Sequence, residues 1–356
     1  MSTQRDNSGM DSRFRGNDKK RAVLWDAAEG KKVSCKLCAH RCVIGEGKLG
    51  RCCVRKNIDG VLYSLNYDKV CSANPDPIEK KPLFHFQPGS SSFSIATMGC
   101  NFRCEFCQNW QISQAVVEDG RIDGQAIGPD KIVAAAVRSG CKSIAYTYTE
   151  PTIFMELCND CGRLAKGHGL ANVFVSNGYQ SIEAIDFTRD WLNGINVDLK
   201  AFSEDYYKRL CKAHLQPVLD TLKYIAKETN IWLEITTLLI PGENDSDDEL
   251  KQLAEFIVNE VGADVPWHIS RFHPQYKYLD SVPTPISSLE RAEAIGKAAG
   301  LHYVYLGNVP GSKSENTFCY NCGRVLIERV GYRILANHIE NCSCPDCGTK
   351  IGGFEL

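Results

Sequence analysis

The sequence predicts an α/β protein: a partial (β/α) TIM-like barrel set between an N-terminal cysteine-rich module and a C-terminal zinc-ribbon-like module. Three observations carry this expectation. From about residue 93 to 311, short β-rich apolar runs alternate with helical patterns, the signature of parallel strands joined by crossover helices. The 18 cysteines gather in separate groups, before that region, at its start and after it. The texture also changes at both ends, being loop-rich before residue 93 and free of alternation after Gly311.

Taken in order, residues 1–20 are polar, charged and without hydrophobic periodicity, and are expected to form a disordered tail. Residues 21–92 form the cysteine-rich module and its lead-in. The barrel spans 93–311. Its strands are read at FSIAT from 93, SIAYTY at 143–148, NVFVSN at 172–177, INVDLK at 195–200, WLEITTLLI at 232–240, WHISRF at 267–272 and HYVYLG at 302–307. Helices follow at 130–139, after Pro151, around 181–191, up to Glu228, at DDELKQLAEFIVNE and at SLERAEAIGKAA. In such an array catalytic groups belong at the C-terminal strand ends. Residues 312–356 form the last module.

Bulk properties narrow the function. A formal charge of −2 and a pI near 6.5 give no electrostatic reason to expect nucleic acid or an anionic membrane as partner. No apolar run reaches membrane-spanning length and no secretory pattern opens the chain, so the expected location is the cytoplasm. Thiols stay reduced there, and clustered cysteines point to metal.

Directly after the first strand stands Cys100-x3-Cys104-x2-Cys107. Thiolates are the usual ligands of iron–sulfur clusters. Three of them on a four-iron cluster leave one iron open, as in a catalytic zinc site with an unfilled position. A zinc site completed by Cys71, Cys141 or a histidine is the alternative. The aromatic Phe106 and the strand-end placement favour the cluster.

The flanking groups differ. Cys319-x2-Cys322 and Cys344-x2-Cys347, each followed by glycine, make two knuckles of a closed tetrahedral site for zinc, or for iron in a rubredoxin-like manner. Cys35-x2-Cys38-x3-Cys42 with Cys52 or Cys53, Cys52 preferred, is a second four-ligand candidate for zinc or an auxiliary iron–sulfur cluster; His40 is a weaker candidate. Cys158 and Cys161 fall on one helix face and read as packing, as do Cys141 and Cys211. Gly45-Glu46-Gly47-Lys48-Leu49-Gly50 matches a dinucleotide fingerprint only in letters, lacking the strand before and helix after. The acidic run from Asp245 to Glu249 reads as a helix start capped by Asn244 or Ser246.

The segments CKLCAHRC, DPIEKKPLFHF, GCNFRCEFCQNWQIS, TYTEPTIF, SNGY, DLK, PGENDS, RFHP and NVPGSKSENTFCYNCGR together resemble the radical S-adenosylmethionine (SAM) superfamily. The likeness is to its pyruvate formate-lyase activating enzyme branch, and in particular to the radical SAM member of the AmmeMemoRadiSam system. The resemblance implies a [4Fe–4S] cluster on Cys100, Cys104 and Cys107, reductive cleavage of SAM to methionine and a 5′-deoxyadenosyl radical, and hydrogen abstraction from a protein or peptide. It implies a low-potential electron donor and work beside Memo-like and AMMECR-like proteins. Thr149 and Glu150 stand where many relatives carry Gly-Gly-Glu-Pro against the methionine amino group, with Tyr148 and Thr149 replacing the glycines. Ser176 and Asn177 resemble the segment facing the ribose, Asp198 and Lys200 the Asp-Leu-Lys that contacts SAM, and His273 a late-strand histidine near the SAM carboxylate. A radical enzyme acting on a small metabolite, and a zinc-stapled binding module without enzymatic activity, are the competing readings.

Overall fold

Seven of the apolar runs become seven parallel strands that lie side by side in the order in which the chain makes them: Ser91–Thr97, Ser143–Tyr146, Ala171–Ser176, Gly194–Asp198, Trp232–Leu239, Trp267–Arg271 and Val304–Gly307. The computed structural model describes residues 19–309 and 311–356. Sequential order with a crossover helix in each gap is the winding of a (β/α) barrel. The sheet does not close: Val304–Gly307 is at one edge, while the first parallel strand pairs on its far side with antiparallel Lys69–Pro77. The architecture is therefore a partial barrel.

Each strand is buried along nearly its full length, as strands covered on both faces must be. Helices Pro129–Arg138, Met155–Gly167, Gln216–Glu228, Asp247–Phe256 and Ile286–Ala298 present one apolar stripe to the sheet. Ser246 caps the fourth of these, its Oγ accepting from the Glu249 amide at 3.3 Å. Asn244, the other cap candidate, is instead buried and joins two strand ends, donating to the carbonyls of Lys200 at 2.6 Å and Leu238 at 2.9 Å. The helical stretch expected up to Glu228 is broken: a π-turn at Tyr207–Cys211 ends on left-handed Lys212, φ 56°, before the helix restarts at Gln216.

The cysteine-rich module consists of two small antiparallel sheets. One is Trp25–Ala28, Lys32–Cys35 and Val43–Ile44; the other is Lys20–Arg21, Val61–Ser64 and Arg55–Ile58. Val33, Leu37, Ile44, Val54 and Leu62 are buried in the same continuous core as the barrel. Residues 1–18 of the expected tail lie outside the described residues. Its end is corrected, because Lys20 pairs with Ser64 and its ammonium lies 2.9 Å from Asp160.

The last module is a three-stranded antiparallel sheet, Thr317–Phe318, Val325–Val330 and Arg333–Asn337. Its core of Cys319, Leu326, Ile327, Cys344 and Ile351 packs on Phe84 of the lead-in and on Tyr303 and Tyr305 of the barrel. The ligand atoms of Cys319, Cys322, Cys344 and Cys347 all lie within 4.8 Å of one another. Across the two knuckles, Cys319 and Cys347 are 3.6 Å apart and Cys322 and Cys344 3.7 Å. Four sulfurs about 2.3 Å from one ion stand about 3.8 Å apart in a tetrahedron, so the set suits one metal ion. No helix among the described residues is long and apolar enough to cross a membrane.

Candidate active site

The C-terminal ends of the parallel strands surround a cavity of about 430 Å³, a size typical of small-molecule sites. Cys100, Cys104 and Cys107 line it with Phe106, Thr149, Glu150, Ser176, Asn177, Asp198 and Lys200. Residues from four strand ends thus meet in one place.

The cysteine loop leaves the first strand through Gly99, at φ 110°, where a Cβ would lie 2.9 Å from Val54 Cγ1, so only glycine fits. The loop is then pinned from below. The amides of Arg103 and Glu105 donate to the carbonyls of Cys211 and Leu210, at 3.0 and 3.1 Å. That gives the broken helix its role as a seat for the loop. It also brings Cys211, read from sequence as core without a partner, close enough to Cys104 to help raise that thiol's pKa. Cys100 Sγ accepts from the Phe102 amide at 3.3 Å, and Ser113 Oγ lies 3.1 Å from Cys107 Sγ.

Glu150 is buried and acts as a brace. Its carboxylate accepts from the Thr152 amide at 3.0 Å, Ser176 Oγ at 2.9 Å and the Asn177 amide at 2.8 Å. Burial raises its pKa, and these donors oppose the rise. The brace holds the Ser176-Asn177-Gly178 turn, in which Gly178 at φ 69° avoids Val197. Asn177 Nδ2 in turn reaches Asn101 Oδ1 at 2.7 Å, tying this turn to the cysteine loop.

Asp198 Oδ2 and Lys200 Nζ form an ion pair of 2.8 Å facing the cavity. Both side chains lie on one face because strand residues two apart do. Burial works against the Lys200 ammonium, but Asp198 and the neighbouring thiols of Cys104 and Cys211 outweigh it and hold its pKa well above the ordinary lysine value.

Tyr148 takes up the glycine question left by the sequence. It adopts φ 65°, a conformation L-residues visit at a cost, and its hydroxyl is held by Asp76 and, at 3.4 Å, by Lys81. Lys81 is fully buried yet lines the cavity. Burial lowers its pKa to about 8, against the pull of Asp76 at 2.7 Å. Lys80, Lys81, Thr236, Ser270, Asn308 and Tyr332 also line the cavity and were not legible as site residues. Lys80 and Lys81 fall in the DPIEKKPLFHF segment and Asn308 opens NVPGSKSENTFCYNCGR, but no chemical signal marked any of the three.

His273 requires a correction. Its side chain is exposed and is not among the residues lining the cavity, and only its backbone carbonyl takes part, accepting from Gln108 Nε2 at 3.1 Å. The chain turns outward after buried Phe272, so the histidine follows the strand without facing its end.

The model of the radical SAM superfamily matches residues 94–257. An uncharacterized protein of Methanocaldococcus jannaschii is 45% identical over 332 residues, 93% of this chain and 98% of its own. The chain belongs to the radical SAM superfamily. Within it, the chain is activating-enzyme-like. The pyruvate formate-lyase-activating enzyme of Listeria monocytogenes is 26% identical over 56% of this chain and 84% of its own length. A radical SAM methyltransferase structure from Sphaerobacter thermophilus shares the fold, with a TM-score of 0.50 at 18% identity over 62% of this chain and 67% of that one.

A radical SAM domain implies a [4Fe–4S] cluster and SAM, and the cavity fits both. Cys100 Sγ accepts from the Phe102 amide at 3.3 Å and from Asn177 Nδ2 at 3.8 Å, contacts of the kind that tune cluster thiolates. The buried Thr236 hydroxyl, which lines the cavity, has no partner among the described residues, and such a group calls for one.

Proposed function

We propose that this radical SAM chain is an activating-enzyme-like enzyme whose substrate is a protein or peptide, with Cys100, Cys104 and Cys107 holding the catalytic cluster. The observation that carries the reading is the sharing of one cavity by the three thiols, the Asp198–Lys200 pair and the Glu150-braced turn. When bound, the cluster supplies the electron that splits SAM into methionine and the 5′-deoxyadenosyl radical that takes hydrogen from the substrate.

The chain's own residues then bind and orient. Lys200 offers a positive charge to the methionine carboxylate, and Asp198 an acceptor to an ammonium or hydroxyl. The backbone at Thr149 receives the amino group, while Ser176 and Asn177 face the ribose and Phe106 walls the loop side. The cavity is edged by exposed Lys80, Asn308 and Tyr332, which suits a chain segment as substrate. Relatives named for activating another enzyme support the same class. The C-terminal thiols hold zinc as a staple. A low-potential electron donor, a reducing cytoplasmic setting, and Memo-like or AMMECR-like proteins as substrate candidates complete the proposal.

The test is anaerobic incubation with SAM and dithionite, following 5′-deoxyadenosine. Slow release by the enzyme alone, rising when a Memo-like or AMMECR-like protein is added and leaving a mass or radical change on that protein, is the expected result. The same rise from small metabolites with no protein present overturns the substrate class.

Lys200→Met will lower kcat/KM for SAM by roughly 100-fold, mostly through KM, because it removes the charge offered to the methionine carboxylate and leaves the half-buried Asp198 unpaired. Lys200→Arg, which keeps the charge, will recover part of the loss. Equal kinetics in Lys200→Met and the parent enzyme would remove this pair from SAM binding.

A further inference from the structure

The N-terminal thiols are not spaced for a single ion. Cys35 ends the strand Lys32–Cys35, Cys38 and Cys42 follow in the next turn, and Cys52 comes after the glycine loop. All four line one small cavity, walled by Leu37, Ile44 and Ile153. The thiols of Cys35, Cys42 and Cys52 all lie within electrostatic reach of Cys38. Cys53 stands apart, with its Sγ 3.8 Å from Arg103 Nη2 and 3.6 Å from the Arg51 carbonyl.

Among the described residues, the C-terminal cysteines are the one group of three or more potential ligands whose donor atoms all lie within 4.8 Å of one another. The N-terminal thiols therefore converge on a common space yet stand too far apart to share one tetrahedral ion, whose sulfurs must lie about 3.8 Å from each other. Cys100, Cys104 and Cys107 behave the same way: they line a common cavity and are absent from that close group. Thiolates on a cuboidal cluster each bind a different iron, so their sulfurs are separated by the width of the cluster.

We infer that Cys35, Cys38, Cys42 and Cys52 hold a second [4Fe–4S] cluster. Four protein ligands leave no open iron, so this cluster stores an electron and binds no substrate. The surroundings fit a buried cluster. The Arg55 guanidinium, itself buried, points a donor at Cys35 Sγ from 3.7 Å, the kind of contact that tunes cluster thiolates. His40, also on the cavity wall, hydrogen-bonds through Nε2 to the Asn101 carbonyl at 2.9 Å. That bond joins the two cysteine loops. The Cys52 carbonyl also packs against Gly99, one residue before Cys100. The second cluster therefore adjoins the first. Only its relation to the central site rests on the functional reading above.

The test is metal analysis and Mössbauer spectroscopy of the full chain purified anaerobically, beside Cys100→Ala/Cys104→Ala/Cys107→Ala. About eight irons and eight sulfides with about one zinc in the parent, and about four irons of cuboidal type kept in the triple variant, are expected. Adding Cys38→Ala and Cys52→Ala should remove the remaining iron. About four irons and two zincs in the parent overturn the inference, as does a two-iron signature in the triple variant. About four irons in the parent that survive the triple change uphold the N-terminal cluster and defeat the central reading, so the two failures are distinct. Circular dichroism separates a misfolded variant from an empty site, and the parent stoichiometry decides without any variant.

Discussion

Cys104→Ala will release no 5′-deoxyadenosine above the enzyme-free level and will carry about four fewer irons than the parent chain. Cys104 is the middle of the three proposed ligands, in a loop whose geometry is fixed on both sides, by Gly99 against Val54 and by the carbonyls of Leu210 and Cys211. Two remaining thiolates are too few to hold a four-iron cluster with an open site. Cys211 is a neighbouring spare thiol and gives the sharpest control. It is fully buried in the turn that seats the loop, so Cys211→Ala should keep both the iron and most of the SAM cleavage. Iron and nucleoside are read together; full cleavage in Cys104→Ala would sink the assignment of the central cysteines.

Arg55→Met will destabilise the chain by about 3–5 kcal/mol, the cost of stranding one member of a buried ion pair. Arg55 Nη2 meets Glu156 Oε1 with both side chains 1% exposed. Around this pair, Glu156 Oε1 also accepts from the Val23 amide at 2.8 Å and Arg55 Nη1 donates to the Val23 carbonyl at 3.0 Å. One buried cluster of charge and backbone thus fastens the cysteine-rich module to helix Met155–Gly167. Glu156→Gln should cost less, because the amide keeps an acceptor. Arg55→Met with Glu156→Leu should be less damaging than the sum of the single changes, since no charge is left unpaired. Thermal unfolding of the apo and cluster-loaded forms checks this. Additive losses in the double variant would mean that the two residues act separately.

Much of the barrel was legible, because its signals are local. Strand and helix periods reside in neighbouring residues, so the runs at Ser143, Ala171, Gly194, Trp232 and Trp267 could be placed within a few positions. The one helix misjudged, before Gln216, failed for a tertiary reason: the cysteine loop donates hydrogen bonds to the carbonyls of Leu210 and Cys211, and the π-turn that presents them interrupts the helix.

The candidate site was legible where ligands sit close in sequence, and hidden where distant segments converge. Cys100, Cys104 and Cys107 share one loop, and each C-terminal knuckle is a turn of four residues, so spacing alone carries the chemistry. Glu150 could be named but not its work as a brace, which depends on the next strand lying alongside. Lys81, Thr236 and Tyr332 come from a lead-in segment, a later strand and the far module, and no spacing links them. His273 has the right residue type after the right strand, but the direction of its side chain depends on how the chain turns beyond Phe272. The N-terminal cysteines could be counted as four ligands from their spacing. The separation of their sulfurs, which distinguishes one ion from a cluster, depends on how two small sheets pack over Ile153. Residue type and local period thus establish which chemistry this chain can perform. The order and curvature of the strands establish where it is performed, because they alone bring residues far apart in the chain to within hydrogen-bonding distance.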